Sequence, residues 1–254
     1  AAILLGPEAG FLALLAVQVA QAVVFADGGL LAIGANAVNA ALWPAAVGLP
    51  VYRSLMGEGL GAGRVIAAAI AASLVALELG AVGVAAAVGG TGRPEFVSGQ
   101  FLFLVVTAHV PMAVVEGLAT AAVLLLLRRV LGRDREEGIE RAGGSAAFFL
   151  FATALFAAAV LAGFASGLPD GPAWTLARAG EEQPAALPPL VQASEALQRA
   201  IALLPGYGEQ SPGALEFLGG AHRSVAGLIG AIASAALAVA PGLAAWRLRR
   251  GREA

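Results

Sequence analysis

FLFLVVTAHVPMAVVEGLATAAVLLLL, residues 101–127, decides the fold: its 27 residues carry one acidic group, Glu116, and one imidazole, His109, before the chain reaches Arg128-Arg129. As a helix it would rise about 40 Å at roughly 1.5 Å per residue, more than the roughly 30 Å hydrocarbon core of a bilayer, so it reads as a membrane span. Five other stretches approach the same character: Ala9–Phe25, Ile33–Val51, Val65–Val88, Ala146–Phe164 and Val225–Trp246. The predicted fold is an all-α polytopic transmembrane helix bundle of about six spans.

The composition agrees. Of 254 residues, 59% are hydrophobic and only 13% charged, whereas a globular domain is about 45–50% apolar and about 25% charged. All 15 basic residues are Arg, and there is no Cys. Without Lys there is no phosphate-binding loop of the G-x-x-x-x-G-K-[ST] type and no Schiff-base chemistry, so ATP hydrolysis would have to come from another subunit. Without Cys there is no disulfide, thiolate metal site or Cys nucleophile. The net charge of −2 gives no electrostatic footprint for nucleic acid.

The short loops set the expected orientation. Arg53 and Arg64 share one loop, Arg128, Arg129, Arg133, Arg135 and Arg141 another, and Arg247, Arg249, Arg250 and Arg252 the tail. Six spans put these three segments on one face, and the positive-inside rule makes that face, with the C-terminus, cytoplasmic. The long 165–224 segment, with Asp170, Glu181, Glu182, Glu195, Glu209 and Glu216, would lie outside; it holds one amphipathic helix over Leu190–Leu204. The Arg-rich run suggests a division into a bundle over 1–131, a cytoplasmic linker over 132–145 and a two-span region over 146–254. Gly-Ala-rich stretches such as Ala67–Ala72 and Val82–Gly90 allow close helix packing.

An ionisable group at bilayer depth costs roughly 2.5–3.5 kcal/mol on insertion scales, which makes each one a functional candidate. His109 and Glu116 are seven residues apart and share one helix face. They suit either an interhelical hydrogen-bonded pair or part of a metal or proton pathway, although one imidazole and one carboxylate do not complete a metal's coordination. Asn36 and Asn39, three apart on one face, suit cross-helix amide links or direct ligand contact. Glu78 reads as bundle-facing and structural, and His222, beside Arg223, as interfacial. Asp27-Gly28-Gly29 reads as a tight external turn in which glycine tolerates positive φ, either a plain connector or a loop that closes a site.

The stretch Phe25-Ala26-Asp27-Gly28-Gly29-Leu30-Leu31-Ala32-Ile33-Gly34-Ala35-Asn36-Ala37-Val38-Asn39, followed by Pro44, Gly48 and Tyr52-Arg53, resembles the substrate-binding membrane component (M component) of energy-coupling-factor nickel/cobalt transporters. Ala108-His109 to Glu116-Gly117 resembles a later helix of the same family, and the likeness extends over about residues 1–131. The second half is similar to the small partner (N component) often fused behind it, whose signature reads Pro-Asp-Gly-Leu-Glu. Here Phe164-Ala165-Ser166-Gly167-Leu168-Pro169-Asp170-Gly171 fits, Pro172-Ala173 replaces Leu-Glu, and Leu204-Pro205-Gly206-Tyr207-Gly208 fits loosely.

The resemblance implies a transporter subunit, not an enzyme, that imports Ni²⁺ or Co²⁺ across a bacterial or archaeal cell membrane, with a membrane coupling subunit and cytoplasmic ATPases as partners and no cofactor of its own. Family ligands come from a Met-His amino terminus and a Ser-Gly-His-like loop, which match no residue here. The chain therefore reads as N-terminally truncated, its metal ligands expected upstream of Ala1, with Asn36, Asn39, His109 and Glu116 as supporting or pathway residues and Asp27, Gly28 and Gly29 as the closing loop. Two other classes stay open: a secondary transporter running protons or ions through His109 and Glu116, against which the lack of an inverted repeat counts, and a non-transporting membrane scaffold, for which the buried His and acids would be an unneeded cost. The HExxH and G-x-S-x-G motifs of an intramembrane hydrolase are missing.

Overall fold

Apolar runs without charge leave the backbone one way to satisfy its N–H and C=O groups in lipid, which is helix hydrogen bonding within each run. The computed structural model describes residues 1–57, 61–90, 99–131, 139–164, 175, 188–208 and 221–253, and helices dominate them, with no strand among them. A short α1 (Ala2–Leu5) precedes α2 (Pro7–Phe25), α3 (Leu30–Met56), α4 (Ala62–Gly89), α5 (Gly99–Leu131), α6 (Ile139–Val160), α7 (Pro189–Ile201) and α8 (His222–Glu253).

Five of the described helical stretches are long and apolar enough to cross a membrane: Pro7–Phe25, Leu30–Met56, Ala62–Gly89, Phe101–Arg129 and His222–Ala240. The chain is a multi-pass membrane protein. The remaining expected span, Ala146–Phe164, falls on α6 and the turn after it, where the described apolar stretch, Phe151–Phe164, is shorter. The amphipathic helix expected at Leu190–Leu204 is α7, which Pro189 opens. The signature-like residues 165–173, the linker residues 132–138 and Arg93, Arg178, Glu181, Glu182, Glu209 and Glu216 lie outside the described residues.

The chain packs as two units. One comprises Ala1–Phe11, Ala35–Ala147 and Gly167–Ala185, the other Leu12–Gly34, Phe148–Ser166 and Ala186–Ala254.

In the first unit α4 is central. Its small residues let neighbouring backbones come close, the usual means of helix association where lipid removes the hydrophobic drive. Toward α3 it presents Ala72, Ala76, Gly80 and Gly83: Gly48 sits against the Ala72 carbonyl and the Ala76 methyl, and Asn39 against Gly80 and Gly83. Toward α5 it presents Ile70, over Gly117, and Ala81, packed with Phe101 and Val105. Contacts that move up α4 and down α5 make the pair antiparallel. Its other end is closed by Val65, Ala68, Ala69 and Ala72 with Ala121, Leu124, Tyr52 and Met56.

The path of α3 is irregular. Ala37–Leu42 and Pro44–Gly48 wind as wide π-helical turns. Pro44 has no N–H to donate, and its ring crowds the carbonyl four residues back, so a widened turn relieves the clash. Where α3 ends at Met56, the Arg64 guanidinium donates to the Met56 carbonyl at 3.3 Å, satisfying one open acceptor of the last turn.

In the second unit, Phe25 at the end of α2 is buried with Leu204 and Ala226, flanked by Val24 and Ile229. Gly230 leaves room for the Phe25 ring, and Gly227 brings α8 against the Ala158 carbonyl.

Candidate functional site

Two polar groupings stand out, one in each unit. In the first unit, α5 buries Phe101, Val105, Ala113, Gly117, Ala121 and Leu124. His109 falls in phase with this stripe, since steps of three or four residues return to one helix face. The antiparallel register that sets Ile70 beside Gly117 also sets Glu78, eight residues on, level with His109, eight residues back. The His109 Nδ1 pairs with the Val105 carbonyl at 2.7 Å, one turn earlier on its own helix. With the carbonyl accepting, Nδ1 carries the proton. Both Glu78 carboxylate oxygens are buried without a hydrogen-bond partner among the described residues, as is the Trp43 indole nitrogen.

Glu116 is placed otherwise. Lying just off the buried stripe, it is exposed on α5 near the middle of the Phe101–Arg129 span. Seven residues separate it from His109, about 10 Å along the axis. By register, the carboxylate level with His109 on the neighbouring helix is Glu78. Asn39 is half-buried, its carbonyl oxygen against Gly80 and its amide against Gly83. Asn36 is half-buried one turn earlier on α3. Among the described residues no group of three or more His, Cys, Asp or Glu side chains is gathered to hold a metal ion.

The second grouping is the turn after α2. Ala26 (φ 55°), Gly28 (79°) and Gly29 (73°) all take left-handed backbone conformations. The Asp27 N–H reaches back to the Gln21 carbonyl at 3.0 Å, closing the helix. Segment 189–208 is fastened to this end of α2 at four points. The Gln198 amide, on a residue only 4% exposed, donates to the Ala22 carbonyl at 3.0 Å. The Leu204 N–H donates to the Val24 carbonyl at 2.9 Å. The Tyr207 ring stacks on Phe25 with centroids 4.7 Å apart, and its hydroxyl donates to the Asp27 carboxylate at 2.5 Å. Tyr207 does this from a left-handed backbone (φ 59°), beside Gly206 at the same φ; for a bulky residue that conformation costs on the order of 1 kcal/mol or more.

Sequence reasoning had the Asp27–Gly29 turn but not the side chains that hold it. Gln198 was not singled out within the expected Leu190–Leu204 helix, and Tyr207 belonged only to a loose motif. The one local signal was Pro205-Gly206, a turn dipeptide that delivers the next residue to a sharp bend.

Comparison with known proteins gives two matches along the chain. Residues 1–133 match the family model described as cobalt uptake substrate-specific transmembrane region (CbiM), and residues 145–247 match the PDGLE domain. A protein named as a fused nickel transport protein, NikMN, of Archaeoglobus fulgidus is 38% identical over 49% of this chain and 40% of its own length. One named as a metal transport protein of Haloquadratum walsbyi is 35% identical over 48% of this chain and 54% of its own. One named as a fused nickel transport protein, LarMN, of Lactiplantibacillus plantarum is 41% identical over 31% of this chain and 26% of its own. The matches thus span about half or less of each relative. No solved structure matches the chain.

Proposed function

The chain belongs to the cobalt uptake substrate-specific transmembrane region (CbiM) family, and from that premise we propose that it is the substrate-specific membrane subunit of an energy-coupling-factor importer of Ni²⁺ or Co²⁺. The observation that carries the reading is the order of the two matches, the CbiM family over 1–133 and then the PDGLE domain over 145–247. Two of the relatives bear names describing fused nickel transport proteins. On this reading residues 1–131 form the M-like bundle, 132–145 a cytoplasmic linker and 146–254 an N-like region, with the C-terminus in the cytoplasm of a bacterial or archaeal cell.

The chain would take the ion from outside and change its orientation as a coupling membrane subunit and cytoplasmic ATPases work on it. A protein with no Lys has no phosphate-binding-loop lysine of its own. Asn36, Asn39, His109 and Glu116 would act beside the ion's path and not as its ligands, since a borderline divalent ion needs more than one imidazole and one carboxylate. Asp27, Gly28 and Gly29 would form the loop that closes the site.

The test is accumulation of radioactive Ni²⁺ or Co²⁺ in cells deleted for their own uptake systems. Accumulation should need the chain, the coupling subunit and an active ATPase together, and should stop when the ATPase is inactivated. Uptake by the chain alone, collapsing with a proton uncoupler, would instead favour the secondary-transport reading through His109 and Glu116.

A further inference from the structure

The contacts between segment 189–208 and the turn after α2 are more than packing needs. Burial of Phe25 against Leu204 and Ala226 already joins the two segments. Beyond it, Tyr207 is held in a left-handed backbone, 37% exposed, to place its hydroxyl on the Asp27 carboxylate. Five residues at this junction have positive φ, Gly28, Gly29 and Gly206 at no steric cost and Ala26 and Tyr207 with side chains that strain there. Strained residues of this kind persist where the surroundings over-determine them, and they gather at clamps and switches. The remaining contacts, Leu204 to Val24 and Gln198 to Ala22, lie three and five residues back from Asp27. The fastening is thus firm and buried at its root, and polar and exposed at its tip, which is where a strap can open without unfolding.

We propose that segment 189–208 is a strap across the Ala26–Gly29 turn, and that Tyr207 is the positioning residue that latches Asp27 and holds the turn in its closed form. The inference rests on the reading of that turn as the loop closing an ion site: cargo passes when the Tyr207–Asp27 bond releases while the Gln198 and Leu204 bonds hold. If the closed form does not admit ion, the apparent affinity is lowered by the fraction of chains that are latched.

Because the chain has no Cys, Ala26→Cys supplies a single thiol in the turn, and its maleimide labelling rate in the purified full chain in lipid nanodiscs reports opening without any need for transport. Tyr207→Phe keeps the ring stacked and removes the hydroxyl, so labelling should speed up about fivefold, the factor that roughly 1 kcal/mol of net hydrogen bonding is worth. Asp27→Asn keeps an acceptor for the phenol and should retain the slow rate, whereas Asp27→Leu should match Tyr207→Phe. Labelling of Tyr207→Phe at the unsubstituted rate overturns the latch. In cells with the partner subunits, Tyr207→Phe without the added Cys should lower the half-saturating Ni²⁺ or Co²⁺ concentration and leave the maximal rate unchanged. A maximal rate that falls with no change in half-saturation would make Tyr207 merely structural and sink the proposal. If the unsubstituted chain takes up neither ion, the importer reading fails, while the labelling rates still decide whether the latch exists.

Discussion

At Asn39 the backbone carbonyl packs on Gly80 and the side-chain amide on Gly83. A methyl at Gly80 would lie 2.7 Å from the Asn39 carbonyl oxygen, and one at Gly83 would run into its side-chain amide. The two clashes differ in kind, because backbone cannot yield and a side chain can rotate. Gly80→Ala should therefore cost about 1–3 kcal/mol of stability, the range for overpacking, and Gly83→Ala less. Adding Asn39→Ala should recover most of the Gly83→Ala loss and little of the Gly80→Ala loss, a non-additivity that a double-mutant cycle from thermal unfolding in detergent would measure. Purely additive losses at Gly83 and Asn39 would break this account. The spacing of Asn36 and Asn39 was legible as one helix face; that Asn39 meets glycines was not, because its neighbours lie about 40 residues further along the chain.

Between elements, the α4–α5 register sets Glu78 level with His109. Both helices are plain in the sequence, but pairing across them depends on register, which is set where Gly117 admits Ile70. The seven-residue spacing of His109 and Glu116 gave the right face for one and a flank for the other, since a stripe stepping by four leaves position 116 beside it. Among the described residues neither Glu78 carboxylate oxygen has a hydrogen-bond donor, so no hydrogen bond there offsets its desolvation cost. Replacing Glu78 by Met, an unbranched side chain of similar length, should raise stability by about 1–3 kcal/mol in unfolding measurements. A destabilised Glu78→Met would show that the carboxylate is held by an interaction beyond its contacts in this structure.

For the molecule as a whole, the described residues assemble no cluster of three metal-ligating side chains. On the reading that His109 and Glu116 line the ion's path and are not its ligands, isothermal titration of Ni²⁺ or Co²⁺ into the purified chain should give no submicromolar site that depends on either residue. A submicromolar site lost in His109→Ala or Glu116→Ala would promote those residues from pathway to ligand. What the sequence determined by itself was whatever depends on the solvent and on local periodicity: apolar runs long enough to span a bilayer, helical because lipid offers the backbone no other partner, and a glycine turn after Phe25. The tertiary structure decided which polar groups meet. His109 lies level with Glu78, Asn39 sits on Gly80 and Gly83, and Tyr207 reaches Asp27 from 180 residues away. Those pairings follow from register and close backbone approach between helices, and neither quantity is written in the periodicity of any single span.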